Sequence, residues 1–301
     1  MTETTAAALP EQPARRPLRG VALLMAALMV FACMDVGIKY LTAHYNAPLV
    51  VAVRYIVHLS LMVAIAVPVV GRQLVQTRRT GLVLLRGGCL ALMSLLIAFA
   101  LQRMPVAEAT AIAFLAPMLV VLLAGPLLGE RIGWAGWTAA VGGLAGVLLI
   151  VRPGGGLPWA GVAFALSAVG ANVVYQMLSR TLARTDSAVA MLFYTALIGA
   201  VAFGILLPWT LHGERPTPLA IGLFVMIGAS SGLGHYLFTL AFRETPASVL
   251  APLNYVQLLW AGLLGWIVFG HVPDAATAVG MAVVAASGAL IAIKARRDSA
   301  R

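Results

Sequence analysis

Charge is scarce in this chain, and acid is scarcer still. Asp and Glu together number 10 and Lys and Arg 20 in 301 residues, so charged residues are 10% of the total. A soluble domain carries about 25%. The gap is filled by apolar residues, at 61%, with a mean hydropathy of +0.97. That balance excludes an ordinary soluble fold. Cysteine is nearly absent. Cys33 and Cys89 both fall inside apolar runs, and their spacing suits neither a disulfide framework nor a zinc site. They read as small buried residues. The histidines are scattered as His44, His58, His212, His235 and His271, with no H-x-x-x-H pair. This argues against an intramembrane metalloenzyme. The run Gly154-Gly155-Gly156 lacks the flanking strand and the Lys-Ser/Thr of a phosphate loop. It reads as a linker. No feature binds a nucleotide, so no cofactor is expected, and any work the chain does must draw on a gradient.

What the chain has is long apolar runs. Spans are expected at 19–41, 47–70, 80–102, 107–128 and 132–151, and again at 157–179, 187–208, 217–241, 246–269 and 275–295. Each is close to the roughly 20 residues needed to cross a bilayer. The fold class is therefore an all-α integral membrane protein with ten transmembrane helices. The division is 1–16 as a disordered tail, 17–153 as a first unit of five helices, and 157–296 as a second. The basic tail before the first span resembles a signal peptide, but the run that follows is too long for one. We read it as an uncleaved first span. The two units match beyond hydropathy. Ala100–Pro105 aligns with Ala241–Pro246, and Gly129-Glu130 with Gly270-His271, both 141 positions on. Pro68 and Pro208 each close a second helix, and Asp35 and Lys39 fall opposite Asn172 and Gln176. An odd number of crossings per unit makes the units inverted relative to each other, the ground plan of many secondary transporters.

Net charge is +10, which in a soluble protein would suggest nucleic acid. Here the basic residues sort by side. Arg15, Arg16, Arg19, Arg72, Arg78, Arg79, Arg131, Arg180, Arg184, Arg243, Lys294, Arg296, Arg297 and Arg301 share one face, against Arg103, Arg152 and Arg215 on the other. The positive-inside rule makes the rich face, and both termini, cytoplasmic. No nucleic acid partner is expected. The expected location is the cytoplasmic (inner) membrane.

Several stretches carry a family resemblance. They are Asp35-Val36-Gly37-Ile38-Lys39-Tyr40, Arg54-Tyr55, the segment from Pro105 to Gly129-Glu130-Arg131, and the run from Ala251 to Asp274. Over residues 17–296 the chain resembles the drug/metabolite transporter superfamily, in its ten-helix form with two EamA-type repeats. The resemblance implies a basket of ten helices and transport of small organic solutes. One departure is visible: His271 stands where such proteins usually place Glu after the glycine.

Ionisable residues inside hydrocarbon are costly and survive when paired or facing water. Asp35 and Lys39 have the favourable acid-before-base i,i+4 order, so they read either as a self-neutralising pair or as site charges. Arg54, in the second span, reads either as an interface anchor or as a guanidinium ready for a carboxylate. Arg86 reads as a snorkelling anchor. The second unit offers His235, Tyr236, Asn254, Tyr255, Gln257 and Trp260. Asn254 and Gln257 share one helix face, which suits either a substrate site or interhelical hydrogen bonds. Pro117 and Pro252 interrupt spans four and nine. Gly142 and Gly146, Gly228 and Gly232, and Gly280 and Gly288 mark close helix approaches. The expected function is secondary transport of a small amino-acid-like, vitamin-like or drug-like metabolite by alternating access, with no enzymatic activity. A non-transporting membrane helper or sensor is the alternative. The expected partners are a small-molecule substrate and the lipid bilayer, with a homodimer left open.

Overall fold

Among the described residues the apolar runs fold as helix, and no strand occurs. In hydrocarbon the backbone must satisfy its own hydrogen bonds, and a helix does so within one segment. The computed structural model describes residues 17–128, 134–152, 156–182, 185–210, 215–245 and 250–299. The expected tail at 1–16, the Gly129-Glu130-Arg131 turn and Pro153–Gly155 of the linker lie outside the described residues.

The first half comprises α1 (Pro17–Thr42), α2 (Ala47–Val70), α3 (Thr80–Arg103), α4 (Val106–Ala113), α5 (Leu115–Leu128) and α6 (Trp134–Val151). The second comprises α7 (Trp159–Leu182), α8 (Ala188–Thr210), α9 (Pro218–Glu244), α10 (Val256–Phe269) and α11 (Ala275–Ser299). Among the described residues six helices, α1 to α3 and α7 to α9, are long and apolar enough to cross a membrane, and four further apolar stretches are shorter.

Two of the short stretches have a visible cause. Helix breaks between α4 and α5 at Phe114, three residues before Pro117. A proline removes one backbone donor and crowds the carbonyl four residues earlier, here Ala113. The other break precedes α10, where Ala251–Tyr255 is a tight 3-10 turn containing Pro252. The two interruptions meet, with the Phe114 and Tyr255 rings 4.9 Å apart.

The halves interleave. α1 packs on α9, α3 on α7, α2 on α8, α6 on α11 and α4 on α10. Exchanging first-half and second-half positions leaves this pattern unchanged. We call the end where α1 starts basal and the end where it stops distal. Gly20 near the start of α1 lies against Thr245 just past α9, while Gly161 near the start of α7 lies against Arg103 and Met104 at the end of α3. So α1 begins at the basal end and α7 at the distal one. Glycine is required where α6 crosses α11. A Cβ on Gly146 would come 2.8 Å from the Gly280 carbonyl oxygen, and one on Gly280 would come 2.6 Å from that of Gly146. Close approach of small residues is how helices associate where lipid offers no hydrophobic drive.

The outer surface is apolar, with Ile65, Val69, Val141, Leu259 and Ile267 exposed. Trp134 and Trp137 are exposed at the basal end, and Trp159 and Trp209 at the distal end. Such tryptophans are enriched at membrane–water interfaces.

Candidate functional site

A cavity of about 290 Å³ lies between the halves. α1 contributes Phe31, Met34 and Asp35; α2 contributes Arg54, Tyr55 and His58; α3 and α4 add an apolar wall including Met93, Ile97 and Phe114 at the helix break. From the second half come Asn172 of α7, Thr195 of α8, Ser231 and His235 of α9, and Gln257 of α10. Most of the lining is apolar. The few polar groups are therefore the ones able to orient a ligand.

Arg54 is the strongest of them. It is 5% exposed, a rare degree of burial for so polar a side chain. Its Nη1 donates to Ser231 Oγ at 3.4 Å, and its guanidinium lies over the Tyr55 ring at 4.4 Å. Nε and Nη2 have no hydrogen-bond partner. Ser231 also bonds His58 Nδ1 at 3.2 Å, and the Tyr55 hydroxyl reaches Leu90 O and Ser94 Oγ, so the surroundings of Arg54 are braced. Asp35 receives one long hydrogen bond, from Gln257 Nε2 at 3.5 Å. Among the described residues it has no cation within 4.0 Å. His235 packs edge-on against Phe31 at 5.1 Å.

Asp35, Arg54, His235 and Gln257 thus share one cavity, and the other candidates stand apart from it. Lys39 does not pair with Asp35. Its Nζ donates to Leu101 O and Met104 O, both at 2.9 Å, and sits 5.4 Å from the Phe269 ring centre. These are terminal carbonyls of α3, so Lys39 caps a helix end, where a cation is favoured. Tyr236 is 61% exposed and faces outward, because one residue along a helix turns about 100° away from His235. Trp260 packs against the basal cluster of Leu24, Leu28 and Leu250. Tyr255 packs at a tilt against Phe114, and a Cβ on Gly288 would collide with its phenol. Asn254 lies in the 3-10 turn, away from the cavity lining. The polar stripe expected from Asn254 and Gln257 is split because the turn before Val256 is not α-helical.

Arg86 is also a correction. It is 5% exposed, so it does not reach for an interface. Its Nε donates to Ser179 Oγ at 2.7 Å, Nη1 to Met191 O at 3.2 Å and Thr195 Oγ1 at 3.1 Å, and Nη2 to the Tyr175 hydroxyl at 2.8 Å. It fastens α3 to α7 and α8 from within.

At the distal end polar contacts tie the helix ends together. Glu108 of α4 accepts from or donates to His271 through Oε1 and Nε2, 2.8 Å apart. Gln102 donates to Thr42 O at 2.8 Å. Arg152 pairs with Asp274. Asp274 also caps α11 by accepting from the Thr277 N–H at 2.8 Å. The Thr277 amide first, then the Arg152 guanidinium, hold the Asp274 carboxyl down to about 2. At the basal end Arg19 meets Glu244 at 3.5 Å, and Asp186 accepts from the Arg78 amide at 2.7 Å. Partial burial opposes ionisation of Asp186, but the Thr185 hydroxyl and the Arg78 and Arg79 amides outweigh it and keep its carboxyl below the usual range.

Glu108 escaped the sequence reading, although it is a lone acid close to the start of an apolar span. No group of three or more metal-ligating side chains occurs among the described residues. The cavity has the means to bind and orient a solute, through one guanidinium, one carboxylate, two imidazoles and two amides.

The family model described as the EamA-like transporter family matches residues 18–152 and again residues 159–293. The pseudopaline exporter CntI of Pseudomonas aeruginosa (strain UCBPP-PA14) is 30% identical over 268 residues, covering 87% of this chain and 91% of its own. The S-adenosylmethionine uptake transporter of Rickettsia bellii (strain RML369-C) is 24% identical over 266 residues, covering 88% and 90%. A solved crystal structure superposes with a TM-score of 0.68 at 22% identity, over 94% of this chain and all of the other, and shares the fold.

Proposed function

Because the chain belongs to the EamA-like transporter family, we propose that it is a secondary transporter moving a small organic metabolite across the inner membrane by alternating access. The observation that carries this reading is the cavity between the halves, with the buried Arg54 on its wall holding two unpaired donors. A buried charge left unpaired is costly, and such groups in membranes mark solute paths. In this reading the chain crosses ten times. α4 with α5 forms one crossing, and the 3-10 turn with α10 forms another. Supporting an inverted repeat are the exchange-symmetric helix pairing and the opposite starting ends of α1 and α7. The basal end, which carries Arg19, Arg72, Arg78 and Arg79, faces the cytoplasm. The two named relatives run in opposite directions, one an exporter and one an uptake transporter.

The test is a transport assay in proteoliposomes under imposed proton and solute gradients, in both directions. The solutes are amino acids, S-adenosylmethionine, pseudopaline, vitamins and drug-like molecules. A thermal-shift screen of the same solutes runs alongside, since a ligand of the native state raises stability by mass action. Gradient-driven flux of at least one solute supports the reading. A correctly folded protein that neither binds nor moves any of them defeats it.

A further inference from the structure

We infer that the cavity takes a zwitterionic, amino-acid-like head group, with its carboxylate on the Nε–Nη2 edge of Arg54 and its ammonium on Asp35; this rests on the transporter reading above. The guanidinium offers one open edge. Nη1 is engaged by Ser231 and the ring face is covered by Tyr55, while Nε and Nη2 are left without partners. Those two nitrogens lie side by side along one edge of the planar group. They form the fork that a carboxylate matches with two parallel hydrogen bonds. Neither atom is open to water in this conformation. A carboxylate reaches them when the side chains covering that edge move aside.

The counter-charge is present as well. Asp35 lines the same cavity, is only partly buried, and has only the long contact from Gln257. A solute that is only anionic would bring its charge into a cavity already holding a carboxylate. A solute that is only cationic would meet an unpaired guanidinium. A zwitterion satisfies both, so the cavity's own charges select it. The other cations of the spans are already used. Lys39 donates to the Leu101 and Met104 carbonyls, and all three Arg86 nitrogens have acceptors. Among the described residues lining the cavity, Arg54 is the cation with donors to spare. The remainder of the wall, including Phe31, Met34, Met93 and Phe114, suits an apolar or thioether side group.

The experiment measures thermal shift and equilibrium binding of the full chain in detergent. The probes are the proteinogenic amino acids and S-adenosylmethionine. For the tightest of these, the carboxamide and the N-acetyl analogue are compared with the parent. Each analogue is expected to bind about 10- to 100-fold more weakly than the parent, the range of a charge-assisted hydrogen-bonded pair. In Arg54→Gln the acid and carboxamide should bind alike. In Asp35→Asn the amine and N-acetyl forms should bind alike. Arg54→Lys, which keeps the charge but not the fork, should recover only part of the preference for the acid. Equal binding of acid and carboxamide by the wild-type protein overturns the proposal without any variant having to fold. So does an undiminished preference for the acid in Arg54→Gln. If zwitterions give no shift while another solute class binds and is carried, the head-group assignment falls and the transporter reading stands. If no solute of any class binds or moves, both fall.

Discussion

His271 Nε2 lies 2.8 Å from Glu108 Oε1, and this contact joins the first turn of α4 to the residue just beyond the left-handed Gly270 that ends α10. The Glu108 side chain is almost wholly buried, and its Oε2 has no other partner. The contact gives a physical reason for the imidazole at position 271. A carboxylate there would face a second carboxylate across the gap, and like charges that close do not both ionise.

His271→Glu is therefore expected to destabilise the protein, and His271→Ala to cost about 2 kcal/mol by leaving a buried carboxyl unpaired. The double variant Glu108→Ala/His271→Ala should lose less than His271→Ala alone, because nothing buried is then orphaned. Thermal unfolding of the three variants in one detergent gives the order. A stable His271→Glu protein would show that the distal contact carries no weight.

Arg86→Met should be among the most damaging single changes in the chain. It strips acceptors on α7 and α8 of their shared donor, and breaking a buried charged network costs about 3 kcal/mol or more. The effect should appear as reduced yield and lower thermal stability, with solute affinity in the surviving folded fraction near wild type. Folded, stable protein with abolished binding would instead move Arg86 into the solute path.

The apolar runs and their duplication were legible because helix in hydrocarbon leaves the backbone few alternatives. The breaks at Phe114 and Ala251–Tyr255 were legible through Pro117 and Pro252. The direction of single side chains was not. His235 and Tyr236 are neighbours in sequence, yet one lines the cavity and the other faces out. Depth along a helix suggested an interface anchor for Arg86. Its acceptors, Tyr175, Ser179 and Thr195, belong to the other half and become visible only when the halves interleave. Asp35 and Lys39 show the same limit. Their spacing permits a pair, but the α3 carbonyls offer Lys39 two acceptors at once.

Stability should fall in acid through Asp274. Its carboxyl is held down to about 2, first by the Thr277 amide and then by Arg152. A carboxyl with a lowered pKa contributes stability that is fully present above its unfolded pKa of about 4 and is lost as pH falls through the folded value. The loss therefore belongs to the window from about pH 4 down to about pH 2. Asp274→Asn should flatten that part of the profile while giving up the same small contribution at neutral pH, since the side chain is largely exposed. Unfolding temperatures of both proteins across the window decide it. Parallel profiles would mean that other carboxylates govern the acid limb.

Lys39→Met separates a helix cap from a solute-binding charge. The ammonium closes the end of α3 through the Leu101 and Met104 carbonyls, and Gln102 ties the same corner to Thr42 on α1. Removing it leaves two terminal carbonyls in a half-buried setting without their donor, at a cost of about 1–2 kcal/mol. Met keeps the apolar stem and its contact with Phe269, so packing is disturbed little. The expected outcome is a lower unfolding temperature with binding affinity unchanged, because Lys39 is not part of the cavity lining. Lys39→Arg should recover part of the stability, since a guanidinium also donates to carbonyls but is bulkier. Asp35→Asn should behave in the opposite way, holding stability and losing affinity for solutes that carry an ammonium. If Lys39→Met instead abolishes binding at unchanged stability, the capping contacts are only one state of this side chain, and Lys39 reaches the solute in another.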